Sequence, residues 1–186
     1  MATVINLIAD IGGTNIRVGL FADNQTEVEQ LTVFQCNQYH SLADVLQTYI
    51  EQKNIKNHLI NACLAIACPV EDDLISMTNL PWTFSQKELK EQLNFNSLYL
   101  INDYTAIAHA VPFLTAQQKV QIGCGQSISN KPIAICGPGT GLGVANVVFS
   151  DGQCVCLGGE GGHVDFAPTD ATEIKILEFL LTKYQH

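Results

Sequence analysis

The chain has 186 residues, of which 47% are hydrophobic, and its formal net charge is −9 at pH 7. This length and apolar content are enough for one or two folded domains, whereas the acidic balance excludes the broad basic surface that nucleic acids or anionic membranes require. Any anionic ligand must therefore be held locally, by backbone dipoles and a metal ion.

Features that direct a chain to a membrane or out of the cell are missing from this sequence. No apolar run approaches the ~20 residues of a membrane span, and the amino terminus lacks the basic start of a secretory signal. The seven cysteines are scattered, mostly among aliphatic residues, where Cys behaves as a small buried hydrophobic residue. We therefore predict a cytoplasmic protein, without a zinc site because only Cys154 and Cys156 are closely spaced.

The first predicted element is a β-hairpin with a glycine-rich turn at residues 10–15, between strands at 4–9 and 16–21. Adjacent glycines leave backbone N–H groups accessible to phosphate oxygens, and the preceding carboxylate can hold Mg²⁺ through its water shell. A plain hairpin without a ligand is the alternative. The candidate nucleotide-binding residues are Asp10, Gly12, Gly13, Thr14 and Asn15.

A second copy of this pattern occupies residues 134–144 and aligns Gly139 with Gly13 and Thr140 with Thr14. Cys136 stands where the first copy has Asp10, so only one turn keeps a carboxylate. Two such turns suggest two related halves that hold one polyphosphate from opposite sides. The spacings of the P-loop and of the dinucleotide fingerprint are both absent.

Between the two turns, the pattern of apolar and polar residues and the helix-capping residues predict an α/β region. A strand is expected at 31–36, then a helix capped by Ser41 that ends near Lys53, then a strand at 59–67 whose continuous apolar run indicates burial on both faces. A short strand follows at 74–77. Ser85 and Glu88 form a capping box for a helix over 86–93.

Two loops in this region carry candidate binding residues. The loop at 78–82 contains the only tryptophan, and it is either a surface loop held by a buried aromatic ring or a lip that faces a ligand. A strand at 98–101 delivers Asn102 and Asp103 at its carboxyl end, where ligands bind in open α/β sheets. The alternative is that Asp103 only caps the helix at 104–111.

The last third is predicted as a crossing followed by a second α/β unit. Residues 113–131 are polar and without periodicity, and a strand at 153–157 leads into four glycines around Glu160 and His163. The backbone of such a loop bends closely around a neighbouring group, and this favours a functional role for Glu160 and His163. A helix capped by Asp170 and Glu173 ends the chain. We predict a small domain at 1–112, a crossing at 113–131 and the incomplete start of a larger domain at 132–186.

Six segments together resemble one enzyme family: DIGGTN at 10–15, LAIACPV at 64–70, MTNLPW at 77–82, LINDYTAIA at 100–108, GPGTGLGVA at 137–145 and GEGGHVDF at 159–166. The resemblance is to bacterial glucokinases, which lack the zinc-binding cysteine cluster of their repressor-related cousins. It implies the ribonuclease H-like fold of actin-like ATPases and hexokinases, and ATP-dependent transfer of phosphate to the 6-hydroxyl of glucose.

The resemblance also implies roles for individual residues. The first turn would serve ATP and Mg²⁺, the latter through Asp10, and the second turn would close on the phosphates. Asp103 would be the catalytic base. The residues implied for the second turn are Gly139, Thr140 and Gly141, and those implied for the sugar are Asn102, Asp103, Glu160, His163, Thr78 and Asn79.

The resemblance further implies that the family's chain continues beyond position 186, with another sugar-binding Glu, the adenosine-binding loops and most of the large domain. We therefore expect an amino-terminal part that turns over poorly by itself and exposes an apolar surface around 174–184, which favours self-association. The full-length protein is expected to be a homodimer. Two other classes stay open: an actin-like or chaperone-like ATPase, and a non-catalytic sugar-binding module.

Overall fold

The computed structural model describes residues 4–22, 27–138 and 141–184. Its strands and helices are β1 Val4–Ile11, β2 Asn15–Phe21, β3 Glu29–Gln35, α1 Leu42–Gln52, β4 Leu59–Ile66, β5 Leu74–Ser76, β6 Thr83–Ser85, α2 Gln86–Gln92, β7 Ser97–Asn102, α3 Asp103–Ala110, β8 Ile133–Pro138, β9 Leu142–Ser150, β10 Gln153–Gly159 and α4 Ala171–Tyr184. The main sheet has the strand order β3-β2-β1-β4-β7, a three-stranded sheet has the order β10-β9-β8, and β5 and β6 form a two-stranded sheet.

Local signals in the sequence determine where several elements begin. The Ser41 hydroxyl accepts a hydrogen bond from the Asp44 N–H at 3.1 Å, and the Ser85 hydroxyl accepts one from the Glu88 N–H at 3.2 Å. Each bond satisfies a backbone donor that the first turn of a helix leaves unpaired. Both predicted caps and the two predicted hairpins, β1-β2 and β8-β9, are confirmed.

Within the described residues, β4 is buried on one face only, which corrects the prediction that it is buried on both faces. Its residues alternate: Ile60, Ala62, Leu64 and Ile66 are buried, whereas Leu59 and Cys63 are exposed. The buried face shares one cluster with apolar side chains of α1 and α2. The apolar run in the sequence reflects small and aliphatic residues on both faces of β4, but only one of these faces is buried within the described residues.

The same one-sided packing corrects the prediction for the cysteines. Cys36 and Cys68 are buried, but four of the seven are exposed. Two of the exposed ones, Cys63 and Cys136, lie at positions of β4 and β8 where the side chain points away from the covered face. All seven thiols lie in the described parts of the chain, and none of them forms a disulfide.

Two neighbouring residues of β4 allow a direct test of this packing. Leu64→Ala should lower the free energy of unfolding by about 2–5 kcal/mol, because it removes a fully buried side chain from the main cluster. Cys63→Ala, one position away on the open face, should change it by less than about 0.5 kcal/mol. Urea denaturation of both variants measures the difference, and equal losses would show that both faces of β4 are packed.

Helix α3 connects the main sheet to the three-stranded sheet. It begins directly after β7 of the main sheet, and its buried Ala108 packs in a second cluster with Ile135, Ala145 and Val147 of the three-stranded sheet. Pro112 follows its end at Ala110, as predicted. The division into domains at 112 and 132 stays a prediction.

Helix α4 has no buried residue. Most of its large apolar side chains are exposed, with Ile174 at 47% and Tyr184 at 52%, so the exposed apolar surface predicted for 174–184 is confirmed. Self-association through it stays a prediction. Of the helices that the structure describes, none is long and apolar enough to cross a membrane.

Candidate active site

The candidate site lies where the three parallel strands of the main sheet end. Ile11 of β1 pairs with Ile66 of β4, and Ile66 pairs with Asn102 of β7. The first glycine turn, the loop after β4 and Asp103 therefore leave the sheet at one edge. The carboxyl edge of parallel strands is the usual ligand position in open α/β sheets, so the predicted placement of Asp103 at this edge is confirmed.

The first glycine turn is closed by backbone hydrogen bonds. The Gly12 N–H donates to the Asn15 carbonyl at 3.1 Å, and the Cys36 N–H donates to the Thr14 carbonyl at 2.9 Å. The N–H groups of Gly13 and Thr14 have no acceptor within the described ranges. Two backbone donors at the tip of the turn are therefore open to an anionic ligand.

Gly13 is required by space rather than by a left-handed backbone. A Cβ at this position would lie 2.7 Å from the Cβ of Asn79, and the φ angle of Gly13 is not in the left-handed region. Asn79 and Thr78, predicted to line the sugar, are both exposed. The glycine thus lets the 78–82 loop approach the turn closely.

Trp82 in that loop is buried, with 6% of its surface exposed. The buried aromatic ring that holds the loop is thus the alternative that the structure supports. The loop also lines a cleft of about 620 Å³ together with Gly13, Thr14 and Tyr39. That this loop forms a lip facing a ligand stays a prediction.

Asp10 forms an ion pair that the sequence analysis missed. Its Oδ2 accepts from Arg17 Nη1 at 2.9 Å, and both side chains are about half exposed. The hairpin register places the two residues opposite each other, so counting back from the turn would have found the pair. Within the described ranges, no group of three or more His, Cys, Asp or Glu residues could hold a metal ion.

Asn102, and not Asp103, caps helix α3. The Asn102 Oδ1 accepts hydrogen bonds from the N–H groups of Tyr104 at 2.9 Å and Thr105 at 3.2 Å. The suggestion that Asp103 is the cap is therefore wrong, because the preceding amide is the residue in extended conformation and reaches those donors. Asp103 is the first residue of the helix, and its Oδ1 accepts from the Tyr104 N–H at 2.9 Å.

The surroundings of Asp103 favour its neutral form. Burial raises the pKa of Asp103 above its ordinary value, the hydrogen bond from the Tyr104 N–H acts in the opposite direction, and the negative charge of Asp10 raises the pKa further. Burial, followed by the charge of Asp103, also raises the pKa of the Cys68 thiol. Asp10, Cys68 and Asp103 thus lie close enough to interact, and a carboxyl with a raised pKa is typical of active sites.

This environment predicts a cost in stability. Because the pKa of Asp103 is higher in the folded than in the unfolded state, its ionisation above that range destabilises the fold. Asp103→Asn should therefore raise the Tm at pH 7. The gain should disappear below the ordinary aspartate pKa, where the wild-type carboxyl is neutral in both states. Thermal scans across pH measure this, with the exposed Asp72→Asn as control; an equal gain at all pH values would contradict it.

The second glycine turn follows β8. Predicted residues Gly139 and Thr140 lie outside the described residues. Gly141 is exposed and a Cβ there would meet nothing within 4 Å. Gly137 and Gly143 lie against the ring of Tyr104 and have no room for a side chain.

Gly158 and Gly159 are the last residues of β10, which corrects the prediction that the irregular loop begins at Gly158. The segment at 160–165 bends around β9, the strand that follows the second turn. A Cβ at Gly161 would meet Val144, and a Cβ at Gly162 would lie 3.0 Å from the Leu142 carbonyl. Glu160 and His163 are exposed, and neither side chain makes a hydrogen bond within the described chain. The close bend is therefore explained by β9, and the sugar-binding role of these two residues stays a prediction.

A family model described as glucokinase matches residues 7–186. The chain belongs to the glucokinase family. It is 55% identical over 179 residues to a glucokinase of Colwellia psychrerythraea and 44% identical over 181 residues to one of Photorhabdus laumondii. The matches cover 96% and 97% of this chain but 54% and 56% of those proteins, so the chain spans about half their length.

Solved structures of this family give the same fold. A glucokinase from an Antarctic psychrotroph is 35% identical, with a TM-score of 0.78 over 98% of this chain and 58% of its own. A Balamuthia mandrillaris glucokinase in complex with glucose is 20% identical, with a TM-score of 0.73 over 97% of this chain and 55% of its own. The predicted actin-like ATPase and hexokinase fold is confirmed.

A more distant structure holds a nucleotide analogue. The ROK-family glucokinase of Streptomyces griseus, in complex with glucose and AMPPNP, is 15% identical, with a TM-score of 0.52 over 81% of this chain and 46% of its own. At this identity the likeness concerns the fold alone.

Proposed function

We propose that this chain supplies the catalytic base and the first phosphate-binding turn of an ATP-dependent glucokinase. The observation that carries the proposal is the position of Asp103, a carboxyl of raised pKa at the strand edge that also bears Asp10 and the open N–H groups of the first turn. Family membership supports the reaction class.

In the proposed reaction, Asp103 accepts the proton of the glucose 6-hydroxyl as its oxygen bonds to the γ-phosphorus and the bond to the β-phosphate oxygen breaks. Phosphoryl transfer depends mainly on positioning and on charge neutralisation, so a fixed carboxylate next to the phosphate turn is the expected arrangement. We further propose that Asn102, Glu160, His163, Thr78 and Asn79 hold the sugar. A mismatched sugar would leave such polar groups without partners, which is costly.

The phosphates are assigned to the two glycine turns, with the N–H groups of Gly13 and Thr14 as donors on the first and residues 139–141 on the second. Mg²⁺ would neutralise phosphate charge when bound. Asp10 fits an ion held through water, because its half-exposed carboxylate is an oxygen ligand and Mg²⁺ keeps several of its waters in proteins. Homodimerisation and a cytoplasmic location remain part of the proposal.

The test uses a chain of full family length that contains these 186 residues, called here the family-length protein. Release of ADP from ATP should depend on glucose, and the 186-residue chain alone should show little or none. ADP release at the same rate without sugar would instead support an actin-like or chaperone-like ATPase. Glucose binding without any ADP release would support a non-catalytic sugar-binding module.

A further inference from the structure

Tyr104 follows the proposed catalytic base and contacts the second glycine hairpin. Its hydroxyl donates a hydrogen bond to the Gly137 carbonyl at 2.7 Å. Its ring occupies the space beside Gly137 and Gly143, so that a side chain at either glycine would collide with it. These two glycines flank the second turn from opposite strands and pair with each other in the β8-β9 ladder.

The backbone of the same residue contacts the base. The Tyr104 N–H lies 2.9 Å from Oδ1 of Asp103 and 2.9 Å from Oδ1 of Asn102. One residue therefore holds the Asp103 carboxylate through its amide and the hairpin through its side chain. Neither contact depends on a long flexible side chain. One is made by the backbone amide, and the other by a tyrosine ring, which has few rotatable bonds.

The helix that carries Tyr104 is itself packed on the second sheet. Ala108, one turn further along α3, is fully buried, and Tyr104 packs against the same cluster as Ala145 and Val147 of β9. A Cβ at Gly158 of β10 would lie 3.0 Å from the Thr105 hydroxyl. The start of α3 thus packs against β8, β9 and β10, and Asp103 lies at the end of β7.

We propose that Tyr104 is a positioning residue that sets the distance between Asp103 and the β8-β9 hairpin at Gly137 and Gly143, the described glycines on either side of the second turn. This inference rests on the proposed function, since the second turn matters for catalysis only if it holds the transferred phosphates. Glycine at 137 and 143 then leaves room for the tyrosine ring. A Cβ added at Gly141 would meet nothing within 4 Å, so this position remains available to a ligand.

The decisive variant is Tyr104→Phe in the family-length protein, which keeps the ring and removes the bond to Gly137. We expect kcat to fall about 3- to 10-fold and the KM for ATP to rise, while the KM for glucose stays within about twofold. A loss of overall stability would not separate the two KM values in this way. Tyr99→Phe is the matched control, because Tyr99 is 67% exposed and its hydroxyl makes no hydrogen bond within the described residues.

A second pair of variants tests the ring. Gly143→Ala should lower kcat because its methyl group collides with Tyr104, and the same change should have a smaller effect in a Tyr104→Ala background, where the collision is gone. Gly125→Ala is the control in open space. Additive effects of Gly143→Ala and Tyr104→Ala, or wild-type kinetics of Tyr104→Phe, would overturn the proposal.

Amide hydrogen exchange separates this proposal from the proposed function. In Tyr104→Phe, the amides of residues 142–144 should exchange faster, whether or not glucose is phosphorylated. A wild-type protein that does not phosphorylate glucose would overturn the proposed function. Unchanged exchange in the hairpin would overturn the positioning role of Tyr104 even if glucose is phosphorylated.

Discussion

Asp103→Asn should lower kcat for glucose phosphorylation by roughly 10²- to 10⁴-fold in the family-length protein. The amide retains an oxygen that can accept from the Tyr104 N–H, as Oδ1 of Asp103 does at 2.9 Å, but it cannot accept the proton of the sugar hydroxyl. The start of α3 should therefore keep its geometry while proton transfer fails. Steady-state kinetics measure the loss, and glucose calorimetry should show that the sugar still binds.

Two controls make this result specific to Asp103. The exposed Asp72→Asn should leave kcat within about twofold of the wild type. In the pH profile of the wild type, the acid limb of kcat/KM should lie above the ordinary aspartate range, because burial and then the charge of Asp10 raise the pKa of Asp103. Undiminished turnover by Asp103→Asn would remove this residue from the mechanism.

Gly13→Ala should lower kcat/KM for ATP by about 10- to 100-fold. The added Cβ would lie 2.7 Å from the Cβ of Asn79, which is closer than real contacts allow, so either the turn or the 78–82 loop must move. A displaced turn no longer aims the N–H groups of Gly13 and Thr14 at the phosphates. Kinetics with ATP varied at saturating glucose measure the effect.

Gly125→Ala is the matched control for this variant, since a Cβ there meets nothing within 4 Å and its φ is not positive. Gly125→Ala should leave kcat/KM unchanged for both ATP and glucose. Glucose affinity in Gly13→Ala should fall less than ATP affinity. Unchanged kcat/KM for ATP would show that the first turn does not hold the phosphates.

Features that depend on nearby residues could be predicted from the sequence. The caps at Ser41 and Ser85 depend on a hydroxyl and a backbone N–H three residues on, and the hairpins depend on strand alternation around a turn. The position of Asp103 at the carboxyl edge of the sheet could also be predicted, because the strand before it ends there.

Features that depend on contacts between distant residues could not be predicted from the sequence. The exposure of Cys63 depends on which face of β4 is packed, and the contacts of Tyr104 are with glycines more than 30 positions later in the sequence. The choice between Asn102 and Asp103 as helix cap depends on backbone angles that two adjacent polar residues do not reveal. The Asp10–Arg17 pair is intermediate, because the hairpin register alone would have predicted it.

The most direct test of the glucokinase account identifies the phosphorylated atom. With the family-length protein, ATP and Mg²⁺, ³¹P NMR of the products should show a phosphate ester at the 6-position of glucose, and no ester should form with 6-deoxyglucose. Inorganic phosphate as the only product, formed at the same rate with either sugar or none, would contradict the account.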